Sequence, residues 1–335
     1  MAEVGGPSPS TRAPPAWLAL CFRPAHMSAN AWSAMLQTLT ERSIKKHFYP
    51  LRDVAWSEHD PREPAWFLPE GAVSLFGTPA WDGLTEDERK RLSLHEFSHF
   101  CGLSMWLENA LIQGLLDRAN VEDPREVTHR YRLIEIGEEV QHNLLFSEFI
   151  RWAKVSWQPP RYILRLSGRW QVPLEARLSE AWLMTIGMVG EEVVDAINRV
   201  ILQSKQPLHP LAREVALIHR VEEARHLAYA RGFLAERYAR EGRLARAYIR
   251  FDAPLAAFAL TAELVREPVF RAAGLRSPAK LARIARRNPR HRAFRISICS
   301  RLVETLRSIG IVTASSSRWW RRYGLVGAQA PGHLD

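Results

Sequence analysis

The chain has 335 residues, of which 47% are apolar and 24% charged, enough for one large domain or two small ones. Twelve Trp and thirteen Phe supply bulky core material, which excludes disorder throughout. The three cysteines, Cys21, Cys101 and Cys299, form no CxxC pair, which excludes a disulfide scaffold, a zinc ribbon and an iron–sulfur cluster and fits a reducing cytoplasm. The net charge is +10, and the stretch Phe270–Arg295 carries no acidic residue. It reads either as a solvated basic face or as a surface for an acidic partner or an anion. No aromatic-interleaved or recognition-helix pattern points to nucleic acid.

In chain order, residues 1–26 are rich in Pro, Gly and Ser and read as a loose tail without the charged start and apolar stretch of a signal peptide. An amphipathic helix is predicted from about Ser28 to Lys46, and residues 50–84, rich in Pro, Gly and Trp, read as an irregular wrap. Four long helices follow, at about 85–118, 124–155, 174–204 and 211–241. Thr85 and Glu88 form a capping box for the first. Asp123, Pro124 and Glu126 signal the start of the second. Ser156–Pro173 is a crossover, and Gln206–Pro210 is the turn between the third and fourth helices. Little strict alternation occurs, so strands should be scarce. The apolar run Ala253–Ala262 is too short to span a bilayer. The expected architecture is all-α: a ferritin-like four-helix bundle within residues 27–250, with N-terminal helical additions and a basic helical extension, 251–335, packed on the same domain.

Glu139-Val-Gln-His142 and Glu223-Ala-Arg-His226 are both Glu-x-x-His pairs, and residues three apart share a helix face. One such pair is commonplace; two, each in an apolar helix, suggest a metal. A di-iron bundle also needs a lone Glu from each of the other two helices. Glu108 supplies one, and Glu191 or Glu192 the other. A carboxylate buried among apolar neighbours calls for a cation. In an antiparallel hairpin, residues equally far from the turn meet. Both candidate pairs have the same separation (139 − 108 = 31; 223 − 192 = 31), and both midpoints fall on predicted turns. This favours Glu192 over Glu191. His219 lies on the stripe of Glu223 and His226. The expected ligand set is therefore Glu108, Glu139, His142, Glu192, His219, Glu223 and His226, whose carboxylate and imidazole donors suit two iron ions better than zinc.

This order of motifs resembles the p-aminobenzoate N-oxygenase-like di-iron proteins: a lone Glu, a Glu-x-x-His, another lone Glu, then His-x-x-x-Glu-x-x-His. The resemblance covers roughly residues 85–240. It implies a non-haem di-iron oxygenase acting on a small-molecule amine, such as an arylamine bearing a carboxylate, which would be oxidised through hydroxylamine toward nitroso or nitro. It implies an Fe/Fe pair, with Mn/Fe as the variant, O2 as co-substrate, and an external reductase or small reductant, since no flavin or iron–sulfur motif is present. An Arg would be the natural clamp for a substrate carboxylate; Arg130, Arg132, Arg220 and Arg225 are nearby in sequence only, and none is singled out. Two other readings stand beside it. One is a hydroxylase or desaturase working on an acyl or aminoacyl chain borne by an acidic carrier protein; the other is a ferritin-like iron protein without organic substrate. A homodimer is the base-rate expectation.

His95-Glu96-Phe97-Ser98-His99 matches the H-E-x-x-H of zinc proteases. The position due for a third His is Met105, and Glu96 stands about 18 Å from Glu108 along one helix. His95, Glu96 and His99 are therefore expected as supporting, surface or polar core residues outside the metal site. Glu135, one turn before Glu139, and Asp195, one turn after Glu192, either support the ligands or face solvent.

Overall fold

The computed structural model describes residues 28–161, 164–165 and 167–327. The predicted tail, and Cys21 with it, lies outside them. Among the described residues the regular structure is helical, with no strand. Eight helices have ten residues or more: α1 (Ala29–Lys45), α2 (Glu86–Ala119), α3 (Val127–Ala153), α4 (Glu180–Gln203), α5 (Pro210–Arg237), α6 (Arg243–Glu263), α7 (Pro278–Arg287) and α8 (Pro289–Ile309). The fold is the expected all-α bundle.

Local chemistry sets the ends of these helices. Ser28 caps α1 by accepting from the Ala31 N–H. Thr85 and Glu88 form the reciprocal capping box of α2. The second helix starts later than predicted. The Asp123 carboxylate accepts from the Arg125 N–H and pairs with its guanidinium, so residues 123–126 are spent on a turn and α3 opens at Val127. The third helix is also shorter. A separate turn of helix, Val172–Leu178, ends at Ser179, whose extended backbone breaks the run and whose hydroxyl caps α4 through the Trp182 N–H. Residues 50–84 are an irregular wrap interrupted by four short helical turns.

α2 packs against α3, and α4 against α5, giving two antiparallel hairpins, while α6 and α8 cover α4. The hairpins meet closely along α2 and α4, where glycines let leucines lie in the seam. Leu107 occupies the space that a Cβ on Gly190 would take, and a Cβ on Gly187 would stand 3.2 Å from Leu111. This close approach brings the inward-facing acids of α2 and α4 to the same depth. Next to that polar centre the core is strongly aromatic; Phe67, Phe97, Phe146 and Phe149 are fully buried.

Candidate metal centre

Six of the seven residues read from the sequence converge. Glu108 comes from α2, Glu139 and His142 from α3, and His219, Glu223 and His226 from α5; all are buried. Their donor atoms form overlapping groups in which every ligand atom lies within 4.8 Å of the others: Glu108, His142, His219 and Glu223; then Glu139, His142, Glu223 and His226; then Glu135, Glu139, Glu191 and His226. Because His142 and Glu223 link the first two groups, and Glu139 and His226 the last two, the donors form an elongated cluster rather than a single tetrahedral point. Each Glu-x-x-His pair works as its helical spacing requires, with His142 Nδ1 2.9 Å from Glu139 Oε2 and His226 Nδ1 3.5 Å from Glu223 Oε1.

The seventh residue differs. Glu191, not Glu192, faces the cluster. Glu192 is buried on the other side of α4, paired with Arg231 and 3.7 Å from Arg301 Nε. Equal distance from a turn fixes height along a hairpin but not azimuth. Adjacent helical residues differ by only about 1.5 Å in height and about 100° in direction. Glu135 joins the same group, while Asp195 turns away to Arg199, Arg220 and Arg301.

Sequence reasoning also gave no role to two residues that back the histidines. Glu222 Oε2 accepts from His142 Nε2 at 3.1 Å, and Glu138 Oε2 accepts from His226 Nε2 at 2.8 Å. Both carboxylates are fully buried, and Arg225 reaches both. The signal was present as a doubled Glu: both motifs read Glu-Glu-x-x-His, at Glu138–His142 and Glu222–His226. On His219 it is Nδ1 that is held, 3.0 Å from Asn198 Nδ2, which leaves Nε2 toward Glu108 and Glu223. The Phe146 ring lies 5.0 Å from that of His219 and walls that end of the cluster.

The donor set fits a bound cation. Buried oxygens of Glu108, Glu135, Glu139, Glu191 and both oxygens of Glu223 have no hydrogen-bond partner, nor has His226 Nδ1. His226 Nδ1 stands 2.9 Å from Glu139 Oε1 without the alignment of a hydrogen bond, so these atoms face a common space rather than each other. Orphaned buried carboxylates are costly unless a positive charge meets them. The titration behaviour agrees. Burial, then repulsion from Glu139 and Glu223, pushes the Glu108 carboxyl well above its ordinary range. Burial and the Glu223 and Glu139 charges do the same to Glu191. Burial raises Glu223 and lifts Glu135 to about 8. Burial opposes charge on Glu139 as well, but His226 and His142 overcome it and hold that carboxyl far down. A divalent cation in the cluster would favour the ionised carboxylates and release protons as it binds.

The His95–Glu96–His99 motif takes no part. Glu96 is buried and accepts from the Ser74 N–H and hydroxyl, and His99 Nε2 bonds to the Glu263 carbonyl at 2.8 Å. The four arginines near the motifs in sequence are engaged elsewhere or exposed. Arg132 holds Glu122 and Glu180, Arg220 holds Asp195, Arg225 holds Glu138, and Arg130 is exposed.

The helical bundle thus places a buried cluster of glutamates and histidines, a candidate metal-binding site, between its two hairpins. The sequence profile of the family described as P-aminobenzoate N-oxygenase AurF matches residues 29–310, and the chain belongs to that family. Among curated proteins it is similar to uncharacterized proteins of Mycobacterium tuberculosis (Rv0885) and Mycobacterium bovis (Mb0909). Each is 29% identical over 243 residues, covering 70% of this chain and 69% of the relative. No helix among the described residues is long and apolar enough to cross a membrane.

Proposed function

We propose that the centre holds two iron ions and that the protein is an O2-dependent oxygenase which inserts oxygen at an amine nitrogen. The overall balance is R–NH2 + O2 + 2e⁻ + 2H⁺ → R–NHOH + H2O, and further rounds would lead toward nitroso and nitro products. Electrons would come from an external reductase or a small reductant. Membership of the family supports the reading, and the observation that carries it is the elongated set of buried, unpaired carboxylate and imidazole donors on four helices. When bound, reduced iron supplies the two-electron activation of O2. The residues of the chain supply the rest. Glu108 and His142 would hold one ion and Glu191 and His226 the other, with Glu139 and Glu223 positioned between them and His219 completing the Glu108 side. Glu138, Glu222 and Asn198 fix the ring orientations. Aromatic side chains lining a cavity beside the α2–α4 seam, Trp106, Trp182 and Phe258, favour an organic substrate over a pure iron store.

A second reading rests on the exposed cations Arg276, Lys280, Arg283, Arg286 and Arg287, which suit an acidic carrier protein presenting a bound acyl or aminoacyl chain. Metal analysis of the purified chain, followed by O2 consumption by the reduced protein with and without an arylamine, tests the main reading. About two irons per chain and hydroxylamine or nitroso product by mass spectrometry are expected. Absence of bound iron, or iron with no amine-dependent product, overturns it. A carrier-bound substrate turned over at low salt only would favour the second reading.

A further inference from the structure

Between α2, α4 and α6 lies a cavity of about 400 Å³. Its walls are chiefly apolar: Trp106 and Leu107 from α2, Trp182 and Ile186 from α4, Phe258 and Ala259 from α6. That volume falls in the range of small-molecule sites, roughly 300–1,000 Å³. Apolar cavities even of about 150 Å³ stay dry and take up apolar ligands. Left empty, such a void forfeits the packing that a core of this density otherwise makes.

The charges on the cavity wall decide the class of ligand. Among the described residues Arg161 is the only cation lining it. Its Nε is 2.9 Å from Glu263 Oε1, and its backbone N–H donates to the other oxygen of the same carboxylate. The second acid on the wall, Asp252, accepts from Trp182 Nε1 at 2.8 Å. Arg266 behind the wall also holds Glu263, its Nη1 2.6 Å from Oε2. Each cation here therefore already has a carboxylate partner, and a ligand carboxylate would meet two acids and no cation without one. The cavity is also close to the metal centre. Leu107 lines it while the next residue, Glu108, faces the cluster; Gly190 lines it while the next residue, Glu191, faces the cluster. Leu107 lies across Gly190 between the two.

We propose that this cavity binds an uncharged, predominantly apolar small molecule and, resting on the oxygenase reading above, that this molecule is the substrate. Leu107 seated against Gly190 is the partition it must pass to reach the centre. The test is equilibrium binding at pH 8 of two probes, 4-butylaniline, which is uncharged, and 4-aminobenzoate, which is anionic. It is followed by Trp fluorescence and by calorimetry on iron-loaded and iron-free protein. 4-Butylaniline should bind one per chain and at least tenfold more tightly than 4-aminobenzoate. Ala259→Trp and Ala256→Phe, which fill the cavity from α6, should each weaken it tenfold or more with iron content and helical signal unchanged. No binding of 4-butylaniline, a preference of less than tenfold, or a loss of less than tenfold in both filled variants overturns the proposal. Iron content, measured separately, separates the two readings. A chain that cannot be loaded with iron yet binds the aniline sinks the oxygenase assignment and leaves the cavity site standing; a chain that loads with iron and fails to bind the aniline sinks the cavity site alone.

Discussion

Glu138 on α3 accepts from His226 on α5, and Glu222 on α5 returns the same service to His142 on α3. The exchange ties the two Glu-x-x-His helices together behind the donor cluster. It fixes which nitrogen each imidazole presents: with Nε2 donating outward, Nδ1 is left for an ion. Removing such a backing carboxylate typically costs 10–100-fold in metal affinity. Glu138→Gln and Glu222→Gln should each therefore lower iron affinity by about 10–100-fold while the chain keeps its helical signal. Competition with a metal-specific chelator measures it. Iron affinity equal to that of the parent in both variants would show that the carboxylates do not orient the rings.

Glu191 and Glu192 separate a proposed ligand from a structural ion pair. Glu191→Ala removes an orphaned acid from the cluster and should release about half of the bound iron, read by metal analysis. Glu192→Ala should leave the iron in place. It strips the partly exposed Arg231 and Arg301 of a buried carboxylate, so it should show as a lowered melting temperature. The reverse pattern would restore Glu192 to the ligand set.

The same pair marks how far the sequence reaches. Spacing alone located the hairpins and six of the residues that converge, because a Glu-x-x-His repeat and equal offsets from two turns are one-dimensional facts. The azimuth of neighbouring glutamates depends on how α4 rolls against α2, and that is set by Leu107 lying over Gly190, a contact 83 positions apart (190 − 107 = 83). The crossed carboxylates were hidden for a similar reason: Glu138 looks like the solvent-side neighbour of Glu139 until α5 is placed beside α3. The late starts of α3 and α4 arose locally, from a side-chain turn at Asp123 and a cap at Ser179 that compete with the helix for the same N–H groups.

Glu96 gives a pH signature that is independent of metal. Burial raises its carboxyl from about 4.5 to about 7, against the pull of two hydrogen bonds from Ser74. A folded pKa above the unfolded one means that the folded chain holds the proton more tightly. The stabilisation is complete below about pH 4.5 and is lost as pH rises through about 7. Glu96→Gln keeps the shape, can still accept from the Ser74 N–H and donates to its hydroxyl. It should gain up to ~3 kcal/mol over the parent at pH 8, no advantage at pH 4, and an unchanged iron content. Parallel urea melts at the two pH values check this; a stability difference that does not change with pH would show that folding leaves the Glu96 carboxyl unshifted.

Leu107 and Gly190 form a coupled pair that a double-mutant cycle can read. Gly190→Ala forces a methyl into the space Leu107 fills, and overpacking of this kind costs about 1–3 kcal/mol. Leu107→Ala removes a buried leucine beside a cavity and costs about 2–5 kcal/mol. In the double variant the new methyl enters room that the leucine has vacated. The combined loss should fall below the sum of the single losses by about 1 kcal/mol or more, the coupling expected of residues in direct contact. Chemical denaturation of the four proteins supplies the values. Strict additivity would mean that the two helices slide apart to accept the methyl, and then the seam would not be what fixes Glu108 and Glu191 at one depth.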